Sequence, residues 1–565
     1  MYVKEITSID NFRNLSGLDF VFDKELNFII GENNTGKTNI IELIDIIFSK
    51  GKFSKPDFND TTKQINATIK IVVTDDEIGF FEDFFDPEEE NQLTISIIQE
   101  NYDERIVYIC GSNEIKHSII KKLNTFYYHS QRTPYKEISF SKETGNGAVL
   151  NYFVTKSLEK RNYNLNSFLD STKLNELMQD INIYINKIGL LMKDSIKSYV
   201  SEEPQNYISR LLEIGDSEEV SLSDLGDGVQ YAFNILLSIL DEILDKKKTY
   251  SSVRFDEMLV CKNEKKYYPM IIILDEPEIH QHPARQRLII KKIKEIIENK
   301  NNDFLDILKD LFEIDGIIGQ MFVVTHSPNV LSDDYKQFIR LYKEDVNMKC
   351  ICGQRINIED NNLKHLFSMF DEIKYSFFCH SVLLVEGDTE KGSFPLIAKK
   401  QDIDLDYYSS NVVGMGGADN VNSLIDIYKE FGIDVYAYLD RDKYNQYSSN
   451  PLIMFTDKKD FEEEILSVMS YEEKMKALNI LNKSKSIINE LKRVEPSFSS
   501  AEYNRNFYVP ILNDEQKREI DTILSQKVLG EMKKNKNQVS SYRIVDMMSN
   551  YPQTIINFVK KAKGN

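Results

Sequence analysis

The chain has 565 residues, a formal net charge of −20 and 41% hydrophobic residues, which predicts a globular protein of two or three domains. No apolar stretch reaches the roughly 18 residues of a membrane span, and no signal peptide opens the chain, so we expect a cytoplasmic protein without a membrane partner. The electrostatic field of a chain with this net negative charge does not attract nucleic acid. Contact with DNA would therefore need local basic patches or metal ions. The five cysteines, an odd and widely spread set, do not indicate a disulfide framework.

An α/β pattern fills the first part of the chain. Strand-like runs occur at residues 3–6, 18–22, 26–30, 67–73, 93–98 and 105–110, and residues 39–48 have helical spacing. From about residue 150 to 215 the apolar residues recur as on one face of a helix, for example at Leu177, Ile181 and Ile185, which predicts a helical insertion. The α/β pattern then returns, with strands at 270–274 and 321–324 and a helix at 284–299.

A second α/β unit begins near residue 380. Strand-like runs at 381–385, 411–413 and 434–439 alternate with helices, which predicts a small parallel sheet. The remainder is predicted to be helical and is rich in Lys and Glu. The predicted domains are therefore residues 1–375, with the insertion at about 150–215, then 380–470 and 471–565.

The sequence GENNTGKT at residues 31–38 fits the phosphate-binding loop pattern G-x-x-x-x-G-K-[ST], and a predicted strand and helix flank it. The backbone at Gly31, Asn34 and Gly36 is expected to wrap around the phosphates of ATP at the N-terminus of the following helix. Lys37 would contact the β and γ phosphates, and the Thr38 hydroxyl would be a ligand of Mg²⁺. The sequence therefore predicts an ATP site here.

Two later strands end in residues that suit the same site. The apolar run at 271–274 leads into Asp275 and Glu276; the aspartate would hold Mg²⁺ and the glutamate would orient or deprotonate the attacking water. The strand at 321–324 leads into Thr-His-Ser-Pro, where His326 could contact the γ phosphate. Each pattern alone is common at the end of a buried strand, but together with the phosphate loop they favour a nucleotide site.

The segments NFRN at 11–14, GENNTGKT, LDEPEIHQHP at 274–283 and THSP together resemble the ABC-type ATPases of the RecF/SMC class. In that class two ATPase heads enclose ATP, and a signature loop from the partner head completes the site. The loop that matches here carries Gly226 and Gly228, which would contact ATP, but Leu225 stands where that class has a serine. The resemblance therefore implies ATP binding, whereas the departure at Leu225 puts efficient hydrolysis in question.

Three carboxylates follow strands of the second unit. Glu386 comes after the run at 381–385, and Asp440 and Asp442 come after the run at 434–439. Because parallel strands bring their C-terminal ends to one edge of the sheet, these acids are expected to converge. Like charges raise one another's pKa, so such a cluster favours a hard cation such as Mg²⁺ or Mn²⁺.

This order of acids resembles the Toprim fold, and an ABC-type ATPase followed by Toprim is similar to the OLD (overcoming lysogenization defect) nucleases. That family includes nuclease subunits of Gabija anti-phage systems and retron-associated effectors. The resemblance implies that Glu390 is another acid of the first metal site and that Glu462 and Glu464 bind a second metal. It also implies a catalytic lysine near the C-terminus, for which Lys536 is the best match and Lys534 the next.

The fold class implied is α/β: an ABC-type, RecF/SMC-like ATPase head with a helical dimerisation insertion, followed by a Toprim domain and a helical C-terminal region. The function implied is an ATP-binding endonuclease that cuts double-stranded DNA by two-metal hydrolysis in anti-phage defence. The alternatives are a DNA-binding repair ATPase with a non-cleaving Toprim scaffold, and a topoisomerase-like enzyme with a tyrosine nucleophile. Expected partners are a second copy in a homodimer or dimer of dimers, and a helicase subunit or a retron reverse transcriptase with its RNA–DNA.

Overall fold

A computed structural model gives the arrangement of the chain as two compact units, Met1–Ile356 and Asn357–Asn565. Among the described residues, no helix combines the length and the apolar character that crossing a membrane requires. The residues that the structure describes are 1–74, 77, 81, 91–130, 137–140, 142, 144–162, 171–200, 212–216, 218, 220–345, 347–481, 484–498 and 512–564.

The strands of the first unit belong to two large sheets and a hairpin. They are β1 Tyr2–Asp10, β2 Phe20–Val21, β3 Leu26–Gly31, β4 Ile65–Val72, β5 Gln92–Gln99, β6 Val107–Cys110, β7 Asn113–Ile115, β8 Asn124–Tyr128, β9 Ile196–Val200, β10 Leu212–Asp216, β11 Val260–Lys262, β12 Lys265–Asp275, β13 Gly316–Val324, β14 Phe338–Glu344 and β15 Asn347–Cys352.

The helices of the first unit flank these sheets. They are α1 Lys37–Asp45, α2 His117–Ile120, α3 Asn146–Arg161, α4 Ser171–Leu191, α5 Asp227–Thr249, α6 Ser252–Asp256, α7 Pro283–Ile297 and α8 Asn302–Phe312, with a π-helix at Ile46–Lys50 and 3-10 turns at Lys55–Asp57, Leu222–Asp224, Tyr335–Gln337 and Gly353–Arg355.

The central sheet of the first unit has the strand order β11-β12-β13-β3-β14-β15, and β8 pairs with β12. β12, β13, β3 and β14 run parallel to one another, whereas the edge strands β11 and β15 pair antiparallel to β12 and β14. Every residue of β3 is buried, as is the second half of β12, which explains why the sequence shows continuous apolar runs there. The phosphate loop and the acids after β12 therefore leave the same edge of one buried sheet.

The other large sheet is antiparallel, with the order β2-β1-β4-β5-β6-β7. Buried and partly exposed residues alternate along β4 and β5, so that one face of this sheet packs on the core of the unit. The core residues of both sheets form one hydrophobic cluster with α1, which fixes the P-loop helix between the sheets.

The segment predicted as a helical insertion is helical only in part. β9 and β10 pair as an antiparallel hairpin, with Leu212 opposite Val200. Ile196 and Ser198 are buried, whereas Lys197 and Tyr199 are partly exposed. One face of β9 therefore packs on α4. The helical prediction was wrong for this hairpin because the apolar spacing of α4 was extended into a stretch with the two-residue period of a strand.

The second unit is built on a parallel sheet with the order β17-β16-β18-β19. Its strands are β16 Ser381–Val385, β17 Ser410–Gly414, β18 Asp434–Leu439 and β19 Ile453–Phe455. Its helices are α9 Asp360–Ser368, α10 Phe370–Ile373, α11 Asp388–Lys400, α12 Val421–Glu430, α13 Tyr444–Tyr447, α14 Phe461–Val468, α15 Tyr471–Ile480, α16 Ser484–Val494, α17 Asp514–Lys534, α18 Gln538–Met547 and α19 Gln553–Val559, with 3-10 turns at Lys374–Phe378, Ala418–Asn420, Arg441–Lys443 and Lys560–Lys563.

The C-terminal helices share a core with the sheet of the second unit. Buried residues of β16, α14, α17 and α19 belong to one hydrophobic cluster, and α18 packs along α11. At the start of the unit, α9 packs on α12. The domain limits predicted from the sequence assign α9 to the first domain instead, and they stay a prediction.

Candidate functional site

The phosphate loop begins where β3 meets its neighbour β14. Gly31 has φ 131°, and a Cβ built there would lie 1.9 Å from the carbonyl oxygen of Leu341, so only glycine fits. Asn34 and Gly36 are also in the left-handed region, with φ 59° and 83°. α1 starts directly afterwards, so the loop turns its backbone amides and a helix N-terminus to one side, as phosphate binding requires.

Lys37 lies across this loop. Its Nζ donates hydrogen bonds to the carbonyl oxygens of Gly31 and Glu32, at 3.1 and 2.6 Å. Burial lowers the pKa of Lys37 to about 8, although Glu276 and Glu32 act in the opposite direction. An anion placed at the loop would therefore meet a buried ammonium group whose hydrogen-bond partners, among the described residues, are carbonyl oxygens.

Asp275 is the last residue of β12. Together with Thr38 it lines a polar cavity of about 760 Å³. Burial raises the pKa of Asp275 to about 7, and Glu276, Glu42 and Glu278 add to the effect. Its Oδ1 atom is buried without a hydrogen-bond partner among the described residues, which fits a position where a Mg²⁺ ion or its water would be held.

Glu276 and His326 face each other beside the loop. Glu276 has φ 51°, and its Oε1 lies 3.3 Å from Nε2 of His326. Burial and the nearby Lys37 lower the pKa of His326, so the imidazole is neutral near pH 7. The carboxylate and the imidazole that the sequence assigned to the site are thus neighbours.

Two positioning residues were missed by the sequence reasoning. Glu278 accepts hydrogen bonds at Oε1 from the hydroxyl of Thr325, at 2.8 Å, and from the amide of His326, at 2.7 Å, which joins the ends of β12 and β13. Arg13, from the NFRN segment, donates to Asn39 of α1 at 2.7 Å. Arg13 also donates to Asp57 and Glu42, which secures α1 to the antiparallel sheet. The NFRN match was the signal that could have identified Arg13.

The signature-like loop lies at the start of α5. Gln281 donates from Nε2 to the carbonyl oxygen of Gly228 at 2.9 Å, and Gln230 donates to that of Leu225 at 2.8 Å. A Cβ at Gly228 would lie 3.2 Å from Oε1 of Gln281 and 3.3 Å from the carbonyl oxygen of His280, so the two segments are in close contact there. Gly226 precedes the first residue of α5 in extended conformation. The loop is therefore held by the segment that follows Asp275 in the same chain.

In the second unit, Glu386 and Asp440 lie side by side after the adjacent strands β16 and β18. The amide of Asp440 is 3.5 Å from Oε2 of Glu386, and Oδ1 of Asp440 accepts a hydrogen bond from the amide of Phe461 at 2.9 Å. Burial raises the pKa of Asp440 to about 8, and Glu386 and Glu390 add to it. Burial likewise raises the pKa of Glu386. Of the three acids expected to converge, Glu386 and Asp440 are thus neighbours at one edge of the parallel sheet.

Glu390 and Glu462 complete a buried acidic group around Asp440. Burial raises the pKa of Glu390 to about 7, and Glu462 and Glu386 contribute. Glu462 is 1% exposed, and its Oε1 has no hydrogen-bond partner among the described residues. Nζ of Lys536 lies 3.2 Å from the other oxygen of Glu462. Burial opposes the charge of Lys536, but Glu462, Asp440 and Glu390 outweigh it and raise its pKa.

The remaining two acids of the sequence prediction are placed differently. Asp442 is exposed in the turn after β18, close enough to Glu386 to raise its pKa. Glu464 is buried, and both of its oxygens accept hydrogen bonds, from the amide of Lys458 at 2.7 Å and from the hydroxyl of Thr554 at 2.6 Å. In the described part of the chain, no three His, Cys, Asp or Glu side chains are arranged as the ligands of one ion.

Lys533 was also missed by the sequence reasoning. Its Nζ bridges Oδ2 of Asp460, at 2.6 Å, and Oε1 of Glu463, at 2.9 Å. Asp460 is the N-cap of α14, the helix that carries Glu462. Lys533 therefore ties α17 to the first turn of α14 and holds Glu462 beside Asp440.

The acidic group fits a hard cation by the chemistry of its donors. Buried carboxylates with raised pKa values are unstable as ions unless a positive charge joins them. Glu386, Glu390 and Asp440 share that character, and Oε1 of Glu462 receives no hydrogen bond from the residues that the structure describes. Oxygen ligands of this kind suit Mg²⁺ and Mn²⁺.

Comparisons with known proteins agree with this division. A family described as "AAA domain, putative AbiEii toxin, Type IV TA system" matches residues 26–332, and one described as "Overcoming lysogenization defect protein-like, TOPRIM domain" matches residues 377–442. The Septu protein PtuA of Bacillus thuringiensis is 23% identical over 340 residues, which are 59% of this chain and 73% of that protein. The DNA replication and repair protein RecF of Clostridium tetani is 26% identical over 278 residues, 47% of this chain and 70% of that protein.

Among solved structures, an SMC head bound to the C-winged helix domain of ScpA matches with a TM-score of 0.38 and 15% identity, covering 62% of this chain and 97% of that one. The predicted α/β fold class, an ATPase domain followed by a Toprim domain, is confirmed by the two family matches. The chain belongs to the AAA-domain family matched over residues 26–332, and its residues 377–442 match the OLD-like TOPRIM domain.

Proposed function

We propose that this chain is an ATP-regulated endonuclease that cuts double-stranded DNA with Mg²⁺ or Mn²⁺, in bacterial defence against phage. The observation that carries the proposal is the group of buried carboxylates at Glu386, Glu390, Asp440 and Glu462, with Lys536 beside it. A sheet edge with a purely structural role would not be stabilised by such a group, because burial makes each charged carboxylate energetically unfavourable. The defence role rests on the OLD-like TOPRIM match.

In this proposal the acids hold metal ions and the lysine faces DNA. One ion would be bound by the carboxylates of Glu386, Glu390, Asp440 and Asp442. The other would be bound by those of Glu462 and Glu464. When bound, two such ions supply an activated water and stabilisation of the leaving oxygen in phosphodiester hydrolysis. Lys536 would offset the charge that develops on the scissile phosphate.

Glu462 suits this role better than Glu464. A carboxylate ligand needs a free lone pair, and Oε1 of Glu462 accepts no hydrogen bond from the described residues. Glu464 would have to release the amide of Lys458 or the hydroxyl of Thr554 first. Glu464 is therefore proposed as a support of α14 that can become a ligand only with local rearrangement.

The first unit would bind ATP and use it slowly. The loop from Gly31 to α1 and Lys37 would bind the phosphates, and Thr38 and Asp275 would hold Mg²⁺. Glu276 would orient the water, and His326, 3.3 Å away, would contact the γ phosphate. Because Leu225 replaces a serine in the signature-like loop, we propose that ATP acts mainly by changing the conformation of the protein when it binds.

The second candidate function is a DNA-binding repair ATPase with a Toprim scaffold that does not cut. Two observations favour it: both oxygens of Glu464 accept hydrogen bonds, and no ready-made group of three ligands exists among the described residues. Supercoiled plasmid incubated with the protein and Mn²⁺ separates the functions. Nicked or linear DNA supports the nuclease, unchanged DNA supports the scaffold, and a changed linking number supports a topoisomerase.

A second copy of the chain is proposed as partner, in a homodimer or dimer of dimers. Ile183 and Leu190 on the outer face of α4 are 45% and 59% exposed, and the charged neighbours Glu176 and Lys187 are paired with Arg161 and Asp306. A partly apolar face whose charges are already paired can meet its own copy with little repulsion, even in a chain of net charge −20. A helicase subunit, or a retron reverse transcriptase with its RNA–DNA, is a further proposed partner, which neighbouring genes would identify.

Asp440→Ala or Glu386→Ala should abolish DNA cleavage, by at least about a hundredfold, because a ligand of the metal site is lost. Plasmid nicking with Mn²⁺ measures the loss, and ATP binding should be unchanged because that site lies in the other unit. Asp434→Ala is the matched control, since Asp434 is exposed at the opposite end of β18. Normal cutting by either of the first two variants would remove these acids from the active site.

Asp440→Asn should make the metal-free protein more stable, by on the order of 1 kcal/mol at pH 7. The folded-state pKa of Asp440 is raised to about 8, so ionisation of this group opposes folding above its ordinary pKa. Asparagine removes the charge and can still accept the hydrogen bond from Phe461. Denaturant unfolding in the presence of EDTA measures the gain.

Repeating the unfolding with Mn²⁺ in place of EDTA should stabilise the wild type and should stabilise Asp440→Asn much less. A variant less stable than the wild type without metal, or equal stabilisation of both proteins by Mn²⁺, would contradict the electrostatic account of this cluster.

Lys37→Ala should abolish ATP binding while the fold survives, since the buried ammonium group at the loop is lost. Glu276→Gln should still bind ATP, but its turnover should fall at least about tenfold because the water loses an orienting carboxylate. A fluorescent-nucleotide titration and a phosphate-release assay measure the two effects. Undiminished ATP affinity in Lys37→Ala would refute the assignment of Lys37 to the phosphates. If the wild type itself shows no turnover, the absence of the signature serine at Leu225 would explain it.

Light scattering at micromolar concentration should give a dimer or tetramer. Ile183→Lys with Leu190→Lys should weaken the assembly at least about tenfold, because buried charges would face each other. Val253→Lys is the control, an exposed apolar residue on α6. A monomeric wild type, with and without ATP, would contradict the proposal.

A further inference from the structure

A second cavity, of about 420 Å³, lies in the first unit away from the phosphate loop. The π-helix after α1, the segment from α2 into β8, the C-terminal half of α5, and α6 with the residues after it surround it. Its lining residues are Phe48, Ser49, Ser118, Lys121, Lys122, Asn124, Thr125, Glu242, Lys246, Tyr250, Arg254, Glu257 and Met258. None of them was assigned to ATP, metal or DNA above.

The lining has more cations than anions. Lys246 is 3.1 Å from Glu242, so these two charges balance each other inside the cavity. Lys121 and Arg254 are exposed and, within the described residues, their side chains form no ion pair. They are therefore available to an anionic group at the solvent side. Such a pair of cations suits a phosphate, which accepts several charge-assisted hydrogen bonds at once.

The other part of the lining suits an apolar or flat group. Phe48, Tyr250 and Met258 contribute hydrocarbon and ring surface, while Thr125 adds a hydroxyl. Asn124 is 2% exposed, and its Oδ1 has no hydrogen-bond partner among the described residues. A ligand that donates a hydrogen bond to this oxygen would therefore be stabilised. A ligand of this cavity would carry a phosphate at one end and a compact apolar ring at the other.

The cavity is connected to the ATP site through three elements. α1 and its π-helical extension line the first cavity with Thr38 and Glu42 and the second with Phe48. About ten residues of helix, on the order of 15 Å, separate the two ends. A π-helical turn in such a position often marks a functional site.

β8 and α5 make the same connection. β8 lines the ATP-side cavity with Tyr127 and the second cavity with Thr125, and α5 does so with Asp241 and Lys246. Thr125 is also 3.4 Å from Asp45, the last residue of α1. A ligand that shifts these elements at one cavity can therefore change the position of residues that line the other.

We propose that this cavity binds a small phosphorylated molecule with a flat ring, and that its binding changes the affinity of the phosphate loop for ATP. The coupling is reciprocal by thermodynamic necessity, so ATP changes the affinity of the cavity by the same factor. The site is separate from the proposed nuclease centre and does not depend on DNA cleavage.

Phenyl phosphate is a suitable probe, because it has one phosphate and one ring and lacks the polyphosphate that the loop at residues 31–38 recognises. Calorimetric titration of the full-length chain in EDTA should show saturable binding with a dissociation constant of about 1 mM or tighter. Lys121→Glu with Arg254→Glu should weaken it at least about tenfold. Lys248→Glu with Lys291→Glu, which reverses two exposed charges outside the cavity, should change it less than about twofold.

The ATP titration is then repeated at saturating phenyl phosphate. The dissociation constant of ATP should change at least about twofold in the wild type, and not in Lys121→Glu with Arg254→Glu. Circular dichroism and the ATP affinity without probe verify that this variant is folded. The proposal is overturned by absent saturable binding, by equal loss in both double variants, or by binding without any effect on ATP. Stronger binding of a 5′-phosphorylated oligonucleotide than of phenyl phosphate at the cavity would also overturn it.

Discussion

Strands that deliver carboxylates to one buried sheet edge impose the same electrostatic constraint on both units. In the first unit β12 ends at Asp275, whose pKa is raised to about 7 by burial and neighbouring acids. In the second, β16 and β18 lead to Glu386 and Asp440, and the pKa of Asp440 is raised to about 8. These acids are stable as ions only if cations join them, so each edge is organised around positive charge.

The two units supply part of that charge in different ways. In the first, Lys37 comes from the loop itself and is held by the carbonyl oxygens of Gly31 and Glu32, so the cation is in place before any phosphate arrives. In the second, Lys536 comes from the turn between α17 and α18, distant in sequence, and lies against Glu462 of the acidic group. Preorganisation of this kind removes part of the reorganisation that binding or catalysis would otherwise require.

How far the sequence predicts this arrangement depends on how local the contacts are. The phosphate loop is predictable because its glycines and Lys37 lie within eight residues, flanked by a strand and a helix. Glu386 and Asp440 are predictable because each ends a strand of one parallel sheet. Lys533 is not, because its partner Glu463 is 70 residues away in sequence. The hairpin of β9 and β10 was missed because a helical period was extended beyond α4.

The choice among the C-terminal lysines follows from their partners. Lys533 is held by two carboxylates, Asp460 and Glu463, and turning it away would release the N-cap of α14, so its role is to position that helix. Lys534 is 72% exposed and pairs with Glu531 on its own helix. Lys536 is 53% exposed, yet it lies beside Glu462, which is 1% exposed. Lys536 contacts the acidic group through one carboxylate, and Asp440 and Glu390 also raise its pKa. Its ammonium group can therefore leave Glu462 and bind a phosphate without disrupting the fold. Among these three, only Lys536 combines access with contact, which is why the catalytic proposal rests on it.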